Sequence, residues 1–165
     1  MKKVRVSGSG IKSTQNIIIS GSKSESNRIL ILNSIFKNIS IKNLSSSDDT
    51  KVLNQILNSQ NSDLNVGHAG TSMRFLSAYL ATIEKKKFIL SGSERMHKRP
   101  ISILVKALND LGFNVSYLEN EGFPPLKIIG CKNTKNRVKL KANVSSQYIS
   151  ALMLIAPSLY GGLIF

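Results

Sequence analysis

The period of apolar and polar positions changes repeatedly along this chain, and each change predicts a structural boundary. Ile17–Ser20 predicts a strand and Glu25–Phe36 a largely buried helix. Ile39–Leu44 predicts a second strand, after which Asp48 or Asp49 can cap a helix that buries Val52, Leu53, Ile56 and Leu57. Leu64–Val66 reads as short and extended. Thr71–Ile83 reads as a helix with an apolar stripe of Met73, Leu76, Tyr79, Leu80 and Ile83. Phe88–Ser91 predicts another strand. The following helix is the best punctuated: Pro100 suits its first position, Ile101, Leu104, Val105, Leu108 and Leu111 face one way, and Gly112 ends it. Asn114–Leu118, Leu126–Ile129 and Val138–Lys141 predict three strands. Ser146–Ala156 predicts a last helix, stopped by Pro157 and Gly161-Gly162.

A repeat joins these elements. Ser20–Leu32 reads S-G-S-K-S-E-S-N-R-I-L-I-L and Ser91–Leu104 reads S-G-S-E-R-M-H-K-R-P-I-S-I-L. In both, a strand runs into Gly-Ser, and seven residues after the Gly an Arg precedes an apolar helix. Gly67–Arg74 (G-H-A-G-T-S-M-R) and Lys141–Gln147 (K-A-N-V-S-S-Q) likewise each lead from a strand into a helix. The expected unit is strand–helix–strand–helix–strands used twice, the first copy short of strands. That is an α/β (α+β) fold whose helices segregate from a mixed sheet.

The Ser-rich stretch Ser45–Ser47 is too short to be a linker. Ile149–Phe165 is almost uncharged and approaches a membrane span in length, but Pro157 and Gly161-Gly162 interrupt it, and its first half fits a buried helix better. Leu163-Ile164-Phe165 looks like the opening of a further strand, so the expectation is an N-terminal piece of something longer.

Composition narrows the function classes. With 41% hydrophobic and 19% charged residues a packed core is within reach, and wholesale disorder is not expected. A single cysteine, Cys131, excludes an internal disulfide framework and a multi-cysteine zinc site. The basic start M-K-K-V-R-V-S-G-S-G lacks the apolar core of a secretory signal, which fits a reducing, cytoplasmic setting. Lys and Arg number 23 against 9 Asp and Glu, a net charge of +14, which points to an anionic partner or simply to a solvated basic surface. Position has to decide between these.

Position is informative because helix starts carry unpaired N–H groups and a partial positive charge, which attract anions and repel cations. This chain nevertheless puts cations there repeatedly. Lys23 lies between Ser22 and Ser24, with Arg28 about a turn further on; Arg95, His97, Lys98 and Arg99 crowd the entry to the Pro100 helix; Arg74 closely follows Gly70-Thr71. Each such charge costs about 0.3–1 kcal/mol against the helix dipole unless something offsets it. A bound phosphate or carboxylate reverses the sign. Ser22, Ser24, Thr71, Ser145 and Ser146 add hydroxyls at the same kind of position. The pattern implies one or two small ligands bearing more than one anionic group.

Plainer roles compete. Single serines and threonines at helix starts are mostly caps, and Asp48 and Asp49 fit capping. His68 and His97 are isolated and lack metal-ligand spacing. Met73, Met96 and Met153 fit packing, and Tyr148 fits either core or substrate contact. No Ser/His/Asp or Cys/His arrangement and no clear carboxylate pair for acid–base work is legible. The chain reads as a binding half without its chemistry.

Gly21–Arg28, G-S-K-S-E-S-N-R, resembles the substrate loop of the 5-enolpyruvylshikimate-3-phosphate synthase (3-phosphoshikimate 1-carboxyvinyltransferase) family. The resemblance continues in order through Ser47-Asp48-Asp49, Ala69–Arg74 (A-G-T-S-M-R), Glu94–Ile101 (E-R-M-H-K-R-P-I), Pro124-Pro125 and Val144–Gln147 (V-S-S-Q). It implies a two-domain transferase of roughly double this length or more, each domain built from three βαβαββ units, with the site between the domains. Residues 1–20 would then pair with a second domain. Residues 21–165 would be an incomplete first domain, two units and the start of a third.

Carried over by that resemblance, Lys23, Ser24 and Arg28 hold shikimate 3-phosphate, with Lys23 also reaching phosphoenolpyruvate. Gly70, Thr71 and Arg99 meet phosphoenolpyruvate. Ser145 and Ser146 bind the phosphate of shikimate 3-phosphate, and Gln147 lies between the two substrates. The implied reaction moves the enolpyruvyl group of phosphoenolpyruvate to the 5-hydroxyl of shikimate 3-phosphate through a tetrahedral intermediate, with release of phosphate and with no metal or cofactor. This is a step of the shikimate pathway toward aromatic amino acids. The proton-moving Asp, Glu and Lys of the family belong to its second half. The resemblance also implies small anionic substrates as partners, neither nucleic acid nor membrane, and a monomer at full length. The family usually has Asn in place of His68 and Pro in place of Phe75, and a longer connection from the Asp48 helix to Ala69. Two other readings compete: an enolpyruvyl transferase acting on UDP-N-acetylglucosamine, and a basic nucleic-acid-binding module. Aromatics at 6% and the absence of Trp weigh against the second.

Overall fold

The computed structural model describes residues 4, 5, 8, 10, 16–140 and 145–165. Their elements run α1 (Lys23–Phe36), α2 (Asp48–Leu57), β1 (Asp63–Asn65), α3 (Gly70–Ala81), β2 (Lys87–Ser91), α4 (Ser102–Asp110), β3 (Asn114–Tyr117), β4 (Leu126–Ile129) and α5 (Ser146–Ile155). Short 3-10 turns occupy Met96–Lys98 and Ala156–Ser158.

The strands form one mixed sheet in the order β1-β2-β4-β3. β1 is parallel to β2, whereas β4 is antiparallel to both β2 and β3. Period-2 alternation gives the sheet one buried face. Leu64, Leu90 and Leu126 lie side by side across three strands, as do Phe88, Ile128 and Val115, and all six are buried.

At the centre of the helical layer is α3, which packs against α1, α2, α4, α5, β2 and β4. The sequence predicts one apolar stripe for this helix, but it is buried on nearly every side: Gly70, Ser72 to Ala78, Leu80 and Ala81 are all inside. Neighbouring helices cover the flanks that the sheet does not reach. Its interior hydroxyls find backbone partners, Ser77 Oγ donating to the Met73 carbonyl at 2.7 Å and Ser72 Oγ to the Asp49 carbonyl at 3.1 Å.

Two predicted strands do not form among the described residues. Ile17, Ile18 and Ile19 are 78%, 98% and 74% exposed, and residues 39–44 run without a ladder. A strand exists only when its N–H and C=O groups find an adjacent backbone. Here the two segments approach each other mainly through side chains and a close pass. Asn43 Nδ2 donates to the Ile19 carbonyl at 3.5 Å, and Gly21 comes so near the Asn43 carbonyl that a Cβ would collide with it. For Val138–Lys141, Lys141 lies outside the described residues. The adjacent Arg137 makes an isolated parallel bridge to Ile164, and Val138 N–H donates to the Ile164 carbonyl at 3.0 Å.

Helix ends follow local chemistry with two corrections. The side chain of Ser47, not of Asp48 or Asp49, caps α2 by accepting from Thr50 N–H at 3.4 Å; the two aspartates sit in the first turn, where the dipole favours them. Pro100 lies before α4 rather than at its first position. The residue preceding a proline is driven extended, and Arg99 has φ −97° and ψ 120°. Gly112, at φ +95°, ends α4 as the sequence predicts. Among the described residues no helix is long and apolar enough to cross a membrane.

Candidate functional site

Serine caps set where the first and last helices begin. Ser22 Oγ accepts from Glu25 N–H at 3.4 Å and Ser145 Oγ from Gln147 N–H at 3.3 Å. Each cap leaves the remaining N–H groups of the first turn available and aims the positive end of a helix dipole outward.

Side-chain contacts then tie the starts of α1, α2, α3 and α5 and the approach to α4 into one end of the layer. Lys23 Nζ lies 3.9 Å from Asp49 Oδ2 in the first turn of α2, and Ser72 in the first turn of α3 donates to the Asp49 carbonyl. Arg28 folds back on α1, donating to the Ser24 carbonyl at 2.9 Å and to Ser24 Oγ at 2.6 Å, while its other terminal nitrogen donates to Ser150 Oγ of α5 at 3.0 Å. The same guanidinium lies 5.5 Å from the Phe75 ring centroid on α3. Tyr148 of α5 donates its hydroxyl to the Pro100 carbonyl at 2.7 Å.

Gly70 opens α3 against two arginines. A Cβ there would collide with the Arg99 guanidinium, its Cζ 2.8 Å away, and would lie 3.0 Å from Arg74 Nη1. Glycine is therefore what allows Arg99 to lie across the start of α3. Beneath this surface the helix starts rest on buried hydrogen bonds. Thr50 Oγ1 donates to Asn27 Oδ1 at 2.7 Å, and Ser45 N–H donates to Ser26 Oγ at 2.9 Å. Asn27 has no exposed surface and Thr50 only 2%.

Of the residues singled out in the sequence, Lys23, Ser24, Arg28, Gly70 and Arg99 are thus joined by contacts to neighbouring helix starts. Thr71 lies in the first turn of α3 and is half-buried. Ser145, Ser146 and Gln147 open α5, Ser145 and Ser146 exposed and Gln147 half-buried, immediately before Tyr148. Sequence reasoning named Arg74 among the cations at helix starts and Tyr148 as core or substrate contact, but gave neither a ligand role, read Asp49 as a cap, and missed Ser150 altogether. For Arg74 a signal existed: it stands four residues after Gly70, the spacing that stacks side chains over the preceding turn.

The end as a whole is electropositive. Five ion pairs occur among the described residues, and none includes Arg28, Arg74 or Arg99. His68 Nδ1 and Ser93 Oγ lie 2.8 Å apart, and His97 Nε2 and Ser91 Oγ 3.1 Å apart, so both histidines brace the loops that lead into α3 and α4. No group of His, Cys, Asp or Glu among the described residues could hold a metal ion. Two concavities adjoin the helical layer, and only the second reaches a helix start, at Ser22 and Arg28. One of about 480 Å³ lies where α1, α2 and α3 end and includes Asn33, Ile56 and Tyr79; another, of about 560 Å³, lies between α1 and residues 39–43. Neither gathers the arginines as the helix starts do, so the helix-start face is the chemically coherent candidate.

Residues 52–164 match the EPSP synthase (3-phosphoshikimate 1-carboxyvinyltransferase) family. The 3-phosphoshikimate 1-carboxyvinyltransferase of Bacteroides fragilis is 49% identical over 156 residues, which are 94% of this chain and 37% of that protein. That of Colwellia psychrerythraea is 38% identical over 173 residues, covering 87% of this chain and 40% of the relative. An EPSP synthase structure from Acinetobacter baumannii superposes with a TM-score of 0.67 at 21% identity, covering 85% of this chain and 38% of that one, and so shares the fold. The chain spans 37% to 40% of the length of these curated relatives. A mixed α/β layer, glycine and serine helix starts crowded with cations, and a family match over most of these elements lead to one assignment: this chain belongs to the EPSP synthase family.

Proposed function

We propose that this chain contributes the substrate-binding face of a transferase that moves the enolpyruvyl group of phosphoenolpyruvate to the 5-hydroxyl of shikimate 3-phosphate. The observation that carries the reading is the contact-linked end of the helical layer where the starts of α1 and α3 and the approach to α4 bear Lys23, Arg28, Arg74 and Arg99, whose arginines have no carboxylate partner among the described residues. Lys23, Ser24 and Arg28 would hold shikimate 3-phosphate, with its phosphate on Ser145 and Ser146. Gly70, Thr71 and Arg99 would receive phosphoenolpyruvate, and Gln147 would lie between the two. In the reaction the 5-hydroxyl loses its proton to a base as its oxygen bonds to the enol carbon of phosphoenolpyruvate, and the methylene takes up a proton from an acid to become a methyl group. A base then takes a proton from that methyl group as the C–O bond to phosphate breaks, which restores the enol double bond and releases phosphate. The cations of this chain would stabilise charge on both substrates, a preorganised electrostatic role.

The proton-moving groups would come from a second domain that packs against residues 1–20, residues 21–165 being an incomplete first domain. This chain alone would then bind substrate without turnover. A cytoplasmic setting fits the single cysteine and the anionic metabolites.

Isothermal titration of the 165-residue chain tests the reading. Shikimate 3-phosphate is expected to bind, UDP-N-acetylglucosamine not to compete, and no phosphate to be released when phosphoenolpyruvate is added. Binding of the uridine sugar without binding of shikimate 3-phosphate overturns the substrate assignment. Phosphate release by the purified chain overturns the assignment of catalysis to a second domain. Tight RNA binding that weakens steeply with salt would instead identify a nucleic-acid module.

A further inference from the structure

Arg74 is buried to 7% exposure inside α3, and its Nε has no hydrogen-bond partner among the described residues. One terminal nitrogen, Nη1, donates to the Gly70 carbonyl at 2.7 Å, and the guanidinium carbon lies 5.5 Å from the Tyr148 ring centroid. A buried guanidinium is normally matched by a carboxylate, since taking an unpaired charge out of water is costly. Here no ion pair among the described residues includes Arg74, and another cation stands beside it. Arg74 Nη1 and the Arg99 guanidinium converge on the same point above Gly70. Two like charges at a helix start, which is itself positive, form an arrangement that an oxyanion relieves and that nothing else described there does.

Arg74 also holds Arg99 from two sides. Through the Gly70 carbonyl it fixes the backbone over which the Arg99 guanidinium lies. Its guanidinium also faces Tyr148, whose hydroxyl binds the carbonyl of Pro100, the residue after Arg99.

We infer that Arg74 is a positioning residue for an oxyanion at the start of α3: its buried, unpaired charge and its grip on Gly70 set the place and orientation of Arg99, and a phosphate or carboxylate group completes the cluster. This deepens the proposed phosphoenolpyruvate side of the site and rests on that reading.

The test uses the 165-residue chain, its Arg74→Met variant, which keeps bulk without charge, and its Arg74→Lys variant, which keeps charge without the planar fork. Thermal melts are recorded without ligand and with inorganic phosphate or phosphoenolpyruvate, and affinities are taken from amide shifts of Gly70 and Thr71. Without ligand, Arg74→Met is expected to melt higher than the wild type, because an uncompensated charge is gone. With ligand its affinity for either anion is expected to fall about tenfold or more, because Arg99 is no longer held in place and the local positive charge is reduced. Arg74→Lys is expected to keep an intermediate affinity. A purely structural role predicts the opposite: Arg74→Met melts lower without ligand and, once folded, binds as the wild type does. Either result overturns the inference. A wild-type chain that responds while Arg74→Met responds equally removes only the role of Arg74. A wild-type chain that ignores both anions removes the proposed site as a whole, and this inference with it.

Discussion

The two copies of the Gly-Ser-to-Arg phrase begin alike and end in different structures. In the second, β2 enters from the middle of a four-stranded sheet, a 3-10 turn follows, and Arg99 stands extended outside any helix. In the first, Ile17–Ile19 lies exposed and outside any ladder among the described residues, the chain passes directly into α1, and Arg28 sits inside the second turn, held by Ser24 and Ser150. Similar spacing has thus produced one arginine clamped by a helix and one resting on a glycine. The difference lies in the neighbours. β2 is flanked by β1 and β4, and Pro100 forbids the helix from starting early, whereas Ser22 caps α1 at once.

The largest effect should separate the two entering segments. Leu90, fully buried in β2, is expected to cost about 2–5 kcal/mol on Leu90→Ala, whereas Ile18→Ala should stay within about 0.5 kcal/mol. Urea denaturation of both variants measures this, and equal costs would erase the contrast. Next, Gly70→Ala should leave the far-ultraviolet circular dichroism unchanged but weaken phosphoenolpyruvate binding about tenfold, because the new methyl displaces the Arg99 guanidinium and not backbone. Unchanged affinity would mean that Arg99 need not rest on Gly70. On the clamped side, Ser150→Ala removes the α5 partner of Arg28 and should cost about 1 kcal/mol in the same denaturation assay.

The smallest effect is alkaline. Burial raises the Tyr79 phenol above its ordinary value, partly opposed by a hydrogen bond with Ser34 of α1; burial and then the Glu121 charge raise Tyr117 on β3. A raised phenol favours the neutral form in the fold. Its stabilisation is therefore complete below the unfolded value and is lost as pH rises through the higher folded value. Denaturation midpoints should fall between about pH 9 and about pH 11, less steeply in Tyr79→Phe and Tyr117→Phe. A decline of unchanged steepness in both variants would assign it to other groups.

What could be read from the residues was what local chemistry decides. Ser22 and Ser145 mark helix starts by capping, Gly112 marks an end by its positive φ, and Leu126–Ile129 is a strand to the residue because its alternation matches a buried sheet face. What failed depended on partners remote in sequence. Ile17–Ser20 and Ile39–Leu44 have strand composition but no ladder, and the single stripe expected of α3 could not anticipate helices on its other sides. The site divides the same way. Lys23, Arg28, Arg74 and Arg99 follow from cations set against helix dipoles, whereas the burial of Arg74 without a counter-ion and the reach of Tyr148 to Pro100, 48 positions away, needed the fold.

α5 touches both arginine environments: Ser150 holds Arg28, and Tyr148 holds the carbonyl next to Arg99. The two contacts lie within one turn of a single rod, so α5 joins the Arg28 environment to the backbone beside Arg99. Should the rod shift as a unit when an anion binds at one end, the coupling to the other end would be equal in both directions. Its signature is a change in the amide resonance of Ser150 when an anion is titrated at Gly70, and a smaller change at Gly70 once Ser150→Ala has cut the link.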